Sequence, residues 1–175
     1  MLATVNGGLY KLLLVIHLLS AIVGFGVLTL GGLFGLEAKK RQGPEGLAVF
    51  QAYEHVALTY AEKVVYTVPV WGILLVLASD KVWKFSQTWV WLALLVYLGA
   101  IGFVHAVHLP NLRRMETLQK ELVAMGPPPA GAAPSGPPPQ VTELEARGQR
   151  AGINGTVLNL ALVTIVVLMV WKPGL

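Results

Sequence analysis

Apolar residues in this chain do not alternate with polar ones. They run in four long blocks, Leu9–Phe34, Ala57–Ser79, Thr88–Leu109 and Ile153–Trp171. A hydrocarbon layer about 30 Å thick is crossed by roughly 20 apolar helical residues, and blocks of about 18 already qualify. Lipid offers no water to an unpaired N–H or C=O, so such blocks must close their backbone hydrogen bonds internally, as helices. The pattern predicts an all-α, polytopic membrane protein. Its fold class is a four-helix antiparallel transmembrane bundle, forming one membrane domain over residues 1–175.

Between the blocks the pattern changes to helical amphipathicity. Gly43-Pro44-Glu45 reads as a helix start, with Pro near the first position and an acid in the first turn. Leu47, Phe50, Ala57, Ala61 and Val64 then keep a stripe that leads into the second block. Pro69 lies inside that block and predicts a kink. Beyond Pro110, Leu112, Met115, Leu118 and Leu122 recur at spacings of three and four, and Glu116 and Lys120 add a favourable pair. Residues 126–140 are dominated by Pro, Gly and Ala and predict a flexible linker. A helix should restart at Thr142, with Glu145 closing a capping box. The bundle thus carries short helical extensions on one side.

Charge says which side. Lys39, Lys40, Arg41, Lys63, Arg113, Arg114, Lys120, Arg147 and Arg150 belong to the first and third connections, against Lys11, Lys81, Lys84 and Lys172 elsewhere. The basic excess predicts that the extensions are cytoplasmic and both termini outside, in the cell (inner) membrane. Trp83, Trp89, Trp91 and Trp171 fall near the outer interface, where indole rings prefer to sit. Met1–Tyr10 lacks a basic cluster, and the following apolar run exceeds a signal core, so the first helix reads as retained.

Composition narrows the class. Hydrophobic residues are 55% and charged residues 13%, against about 25% charged in soluble chains. No basic cluster is interleaved with aromatics, which argues against nucleic acid. Cysteine is absent, which excludes thiolate metal sites, iron–sulfur clusters and cysteine nucleophiles. No nucleophile elbow, phosphate loop, H-E-x-x-H or intramembrane carboxylate pair is present. Enzyme activity is therefore not expected.

Candidate chemistry rests on histidine. His17 shares a face of the first helix with Ser20, Gly24, Gly31 and Gly35, small residues that let helices approach closely and mark that face as helix-packing. An ionisable group there is a functional candidate, while its plainer role is one interhelical hydrogen bond. His105 and His108, spaced i,i+3, are predicted on one face of the third helix. With His17 they form a candidate cofactor-binding set for haem b, and with His55 a candidate metal set for a transition metal, aided by Glu54, Glu62 or Glu116. At 1.5 Å per residue His17 lies about 12 Å, and His105 about 26 Å, from the outer end, an awkward offset for two axial ligands. Asn154, Asn159 and Thr164 are expected to bond across the bundle. Tyr66, Thr67 and Pro69 mark a break where freed carbonyls could meet a ligand.

Tyr10-Lys-Leu-Leu-Leu-Val-Ile-His17-Leu-Leu-Ser-Ala21, Val65-Tyr-Thr-Val-Pro69 and Leu112-Arg-Arg-Met115 carry a resemblance. Over Leu9 to about Leu118 the chain resembles a bacterial family of predicted integral membrane proteins (the DUF2269 type). The resemblance implies a four-helix layout and a histidine at His17. His105, His108 and the Pro-rich linker lie outside the pattern.

The expected function is that of a non-enzymatic bundle acting as a homo-oligomer or accessory subunit. Its partners are the lipid bilayer and other membrane helices. The alternatives are a haem or metal protein for electron transfer or metal handling, and a small transporter or channel.

Overall fold

A computed structural model describes residues 5, 7–41, 43–126 and 136–174. The described residues form seven α-helices, α1 (Gly8–Thr29), α2 (Gly31–Arg41), α3 (Gly43–Val56), α4 (Glu62–Leu77), α5 (Thr88–Phe103), α6 (Leu109–Met125) and α7 (Pro139–Trp171). A π-helical turn at Ala57–Ala61 joins α3 to α4, and another at Val104–His108 joins α5 to α6. The helices run together as four long rods, Gly8–Arg41, Gly43–Leu77, Thr88–Met125 and Pro139–Trp171, each apolar and long enough to cross a membrane.

Their lengths of 33 to 38 residues correspond to about 50–57 Å at 1.5 Å per residue. The hydrocarbon layer takes about 30 Å of that. The remainder is α2, α3, α6 and the start of α7, which form a polar stalk beyond the apolar blocks. The opposite end carries the start of α1, the end of α7 and the turn over residues 78–87.

Close packing pairs the rods. α1 lies along α4 and α2 along α3; α5 and α6 both lie along α7. The two hairpins meet mainly in the stalk, where α3 packs on α6. At the terminal end they share a small core in which Trp83, Leu94 and Met169 pack on Val76, Trp89 and Val90. There Trp83 stands edge-on to Trp89 at 5.6 Å and donates Nε1–H to the Tyr10 hydroxyl at 2.9 Å. Lys172 Nζ sits 3.9 Å over the Trp83 ring. Residues from all four rods and the 78–87 turn meet in this cluster. Between it and the stalk, α4 and α5 pack less closely than the members of each hairpin.

Two expectations change. Trp89 is buried and Trp83 packs against it, so two of the four belt tryptophans serve the core; Trp91 and Trp171 remain exposed. The last helix starts at Pro139, with Pro138 before it and no side-chain cap. A proline at the first helical position has its φ already set and no N–H to leave unpaired, so no capping box at Thr142 is needed. Most of the expected linker, residues 127–135, lies outside the described residues.

Candidate functional site

Helix contacts in the first hairpin are built around absent atoms. A Cβ on Gly24 would lie 2.7 Å from Val65 Cγ2 and 3.1 Å from Val65 N, so only glycine admits α4 at this distance. A Cβ on Gly72 would lie 3.3 Å from His17 Cε1, so the imidazole occupies the hollow over that glycine. From there His17 Nδ1 bonds the Val68 carbonyl at 3.0 Å. Pro69 has no N–H to give Val65 O, its partner four residues back. Tyr97 on α5 supplies the missing donor, its hydroxyl giving to Val65 O at 3.2 Å. The carbonyl freed by Pro69 is thus taken by a side chain of the same protein.

A second constellation joins the first turns of α4 to the second π turn. The Tyr66 hydroxyl donates to Glu62 Oε1 and lies 2.6 Å from His105 Nε2. His105 Nε2 is itself 3.3 Å from Glu62 Oε1, and the Tyr66 and His105 rings stack. Glu62 lies about 22 Å from the end of α4, and His105 about 26 Å from the start of α5, at 1.5 Å per residue. Both distances are shorter than the roughly 30 Å of a hydrocarbon layer counted from those helix ends. Yet Tyr66 and His105 are open to the surroundings, Tyr66 at 39% and the His105 side chain at 45%, with Glu62 half-buried behind them. π turns inside α-helices frequently mark functional positions.

The remaining candidates separate. His105 and His108 fall within one π turn, whose i→i+5 bonding spreads residues that an α-helix would align. His105 therefore reaches Tyr66, whereas His108 is half-buried with its Nδ1 lacking a hydrogen-bond partner among the described residues. His55 is exposed, 3.4 Å from the Thr59 hydroxyl and edge-on to Tyr60. Among the described residues no three His, Asp or Glu side chains are placed to hold one metal ion. Ser20 is half-buried, and a Cβ on Gly31 would meet the Tyr53 hydroxyl at 2.5 Å, whereas Gly35 faces open space. Among the described residues the expected cross-bundle bonds of Asn154, Asn159 and Thr164 are not made. Thr164 bonds back to Leu160 O of its own helix, Asn159 is exposed, and Asn154 is buried.

The stalk is held by charge. Arg114 binds Glu143 through two hydrogen bonds, at 3.1 and 2.9 Å, and Arg147 adds a third at 2.8 Å. These guanidiniums pull the Glu143 carboxyl down to about 2. On the other side of α6, Glu116 pairs with Lys120 at 2.7 Å and accepts from Gln51 at 3.0 Å. Those bonds lower its pKa. Facing it, burial and the Glu116 charge push the Glu54 carboxyl up. Glu54, Glu116 and His55 share a cavity of about 290 Å³.

The Tyr66–Glu62–His105 contact escaped the sequence reading. Tyr66 and Glu62 are an i,i+4 pair visible in the chain, but nothing local aligns them with a histidine on another rod. Comparison with known proteins returns one family, described as predicted integral membrane protein (DUF2269), whose model matches residues 11–173. No curated protein and no solved structure matches the chain.

Proposed function

The chain belongs to the DUF2269 family of predicted integral membrane proteins, and from that premise we propose a non-enzymatic bundle that works as a subunit. It docks sideways against other membrane helices, those of a second copy or of an accessory partner. The observation that carries this reading is the Glu62–Tyr66–His105 cluster, open to the side at membrane depth. Ionisable groups within the layer cost about 2.5–3.5 kcal/mol each near its centre, and they are almost always turned towards protein or a water-filled cavity. A neighbouring helix with a polar group at the same level would cover the cluster and take part in its hydrogen bonds. Exposed Asn159 on α7 offers a second polar contact of the same kind.

The test is photocrosslinking in native membranes. A benzophenone amino acid at Val70, exposed one turn beyond Tyr66, should give a protein adduct. The same probe at Ile22, exposed on α1, should give little. Glu62→Gln and His105→Gln should weaken the Val70 adduct. Monomer alone from both probes, with the triad variants indistinguishable from the parent, would overturn the reading. A haem or metal role would rest on single histidines. An absorption band near the haem region that disappears on His17→Ala or His105→Ala would favour that role over docking.

A further inference from the structure

The second hairpin opens where its rods leave the apolar layer. Between α6 and α7 lies a cavity of about 290 Å³, walled by Asn111, Arg147, Arg150 and Asn154 above the apolar Val107 and Pro110. Two of the polar groups are committed. Arg147 gives Nε–H to Glu143 at 2.8 Å and Nη1–H to Asn111 Oδ1 at 3.4 Å. Asn111 returns Nδ2–H to the Arg147 carbonyl at 3.0 Å. These bonds fix one wall and tie up the nearest carboxylate.

The other two are free. Arg150 is exposed and has no ion-pair partner among the described residues. Asn154 is 9% exposed and lines the cavity, and its side-chain amide makes no hydrogen bond among the described residues. The residue is largely buried, but its amide atoms open onto the cavity, where water or a ligand can satisfy them. Arg150 and Asn154 are four residues apart on one helix, so a guanidinium and an amide donor stand one above the other on the same face.

Depth and shape supply the chemistry of the guest. Asn154 and Pro110 mark the edge of the apolar blocks. Donors therefore lie at headgroup level and hydrocarbon lies below. Basic pockets between membrane helices at this level suit anionic headgroups. The basic excess of the stalk predicts the cytoplasmic side, where anionic lipids are concentrated. The volume is at the low end for a small-molecule site, about 300 Å³, enough for a headgroup.

We propose that this cavity binds the phosphate of an anionic phospholipid, with Arg150 and Asn154 donating to it and Val107 and Pro110 lying under the glycerol. The cavity shares the Val104–His108 π turn with the docking surface but none of its Glu62, Tyr66 or His105 side chains. Full-length protein would be purified in detergent and studied by native mass spectrometry with phosphatidylglycerol, phosphatidylcholine and inorganic phosphate as probes. The parent should retain phosphatidylglycerol over phosphatidylcholine. Arg150→Gln should lower that retention about five-fold, the effect of one basic residue at a lipid surface, and Asn154→Ala should lower it as well. Arg113→Gln, a basic residue of the same stalk that does not line the cavity, should change little. Circular dichroism would show that each variant keeps its helices; Arg150 is exposed, so its replacement leaves the packing intact. Displacement of the lipid by millimolar phosphate, lost in Arg150→Gln, would support the phosphate site and assign it a soluble source. Equal retention of both lipids by the parent, or equal losses for Arg150→Gln and Arg113→Gln, would overturn the proposal.

Discussion

Gly24→Ala adds one methyl at the closest approach of α1 to α4. The new carbon would stand 2.7 Å from Val65 Cγ2 and 3.1 Å from Val65 N, where contacting carbons prefer about 3.5–4.0 Å. Nearly 1 Å of room must therefore be found. Val65 cannot yield it: the residue is 2% exposed, β-branched side chains are stiff in helices, and its backbone nitrogen belongs to α4. The helices must separate instead, at a cost of about 1–3 kcal/mol for an overpacked site. Against this stands the better helix propensity of Ala, worth up to about 1 kcal/mol. Gly26 separates the two effects, because a Cβ there meets nothing within 4 Å. Reversible unfolding in mixed micelles, followed by tryptophan fluorescence, should find Gly24→Ala less stable than Gly26→Ala by about 1–3 kcal/mol. Val65→Ala removes Cγ2 and should recover part of that loss in the double variant. If the two alanine variants agree within about 0.5 kcal/mol, the ordinary range for uncrowded sites, backbone contact at Gly24 does not hold the first hairpin together.

Two further outcomes follow from the same geometry. Tyr97→Phe deprives Val65 O of its donor and should cost about 0.6 kcal/mol, at most about 1.7; the loss should shrink in a Pro69→Ala background, where residue 69 regains its N–H. Equal losses in both backgrounds, read by the same titration, would refute the compensation. Glu143, held at about 2 instead of 4.5, contributes stability that is complete above about pH 4.5 and is lost as pH falls towards 2. Thermal melts by circular dichroism should therefore show acid destabilisation between those values that is reduced in Glu143→Gln; an unchanged acid response in that variant would assign it to other carboxylates.

The amino-acid sequence by itself determined where the chain lives and how many times it can cross. Apolar block length is a local quantity, and in lipid each block must satisfy its own backbone, so four blocks predict four helices with no knowledge of their neighbours. The extensions into α3 and α6 were legible through spacings of three and four, whereas α2 carried no such signal. Tertiary structure alone decided which side chains meet. His17 finds a carbonyl 51 positions away, Tyr97 replaces the donor that Pro69 lacks 32 positions away from the carbonyl it serves, and Trp83 and Trp89 turn inward because Val76 and Val90 offer them a core. The π turns hid the rest. Reading faces along a chain assumes an unbroken α-helical phase, and a single wider turn rotates every residue beyond it, parting His105 from His108 and bringing His105 to Tyr66 and Glu62.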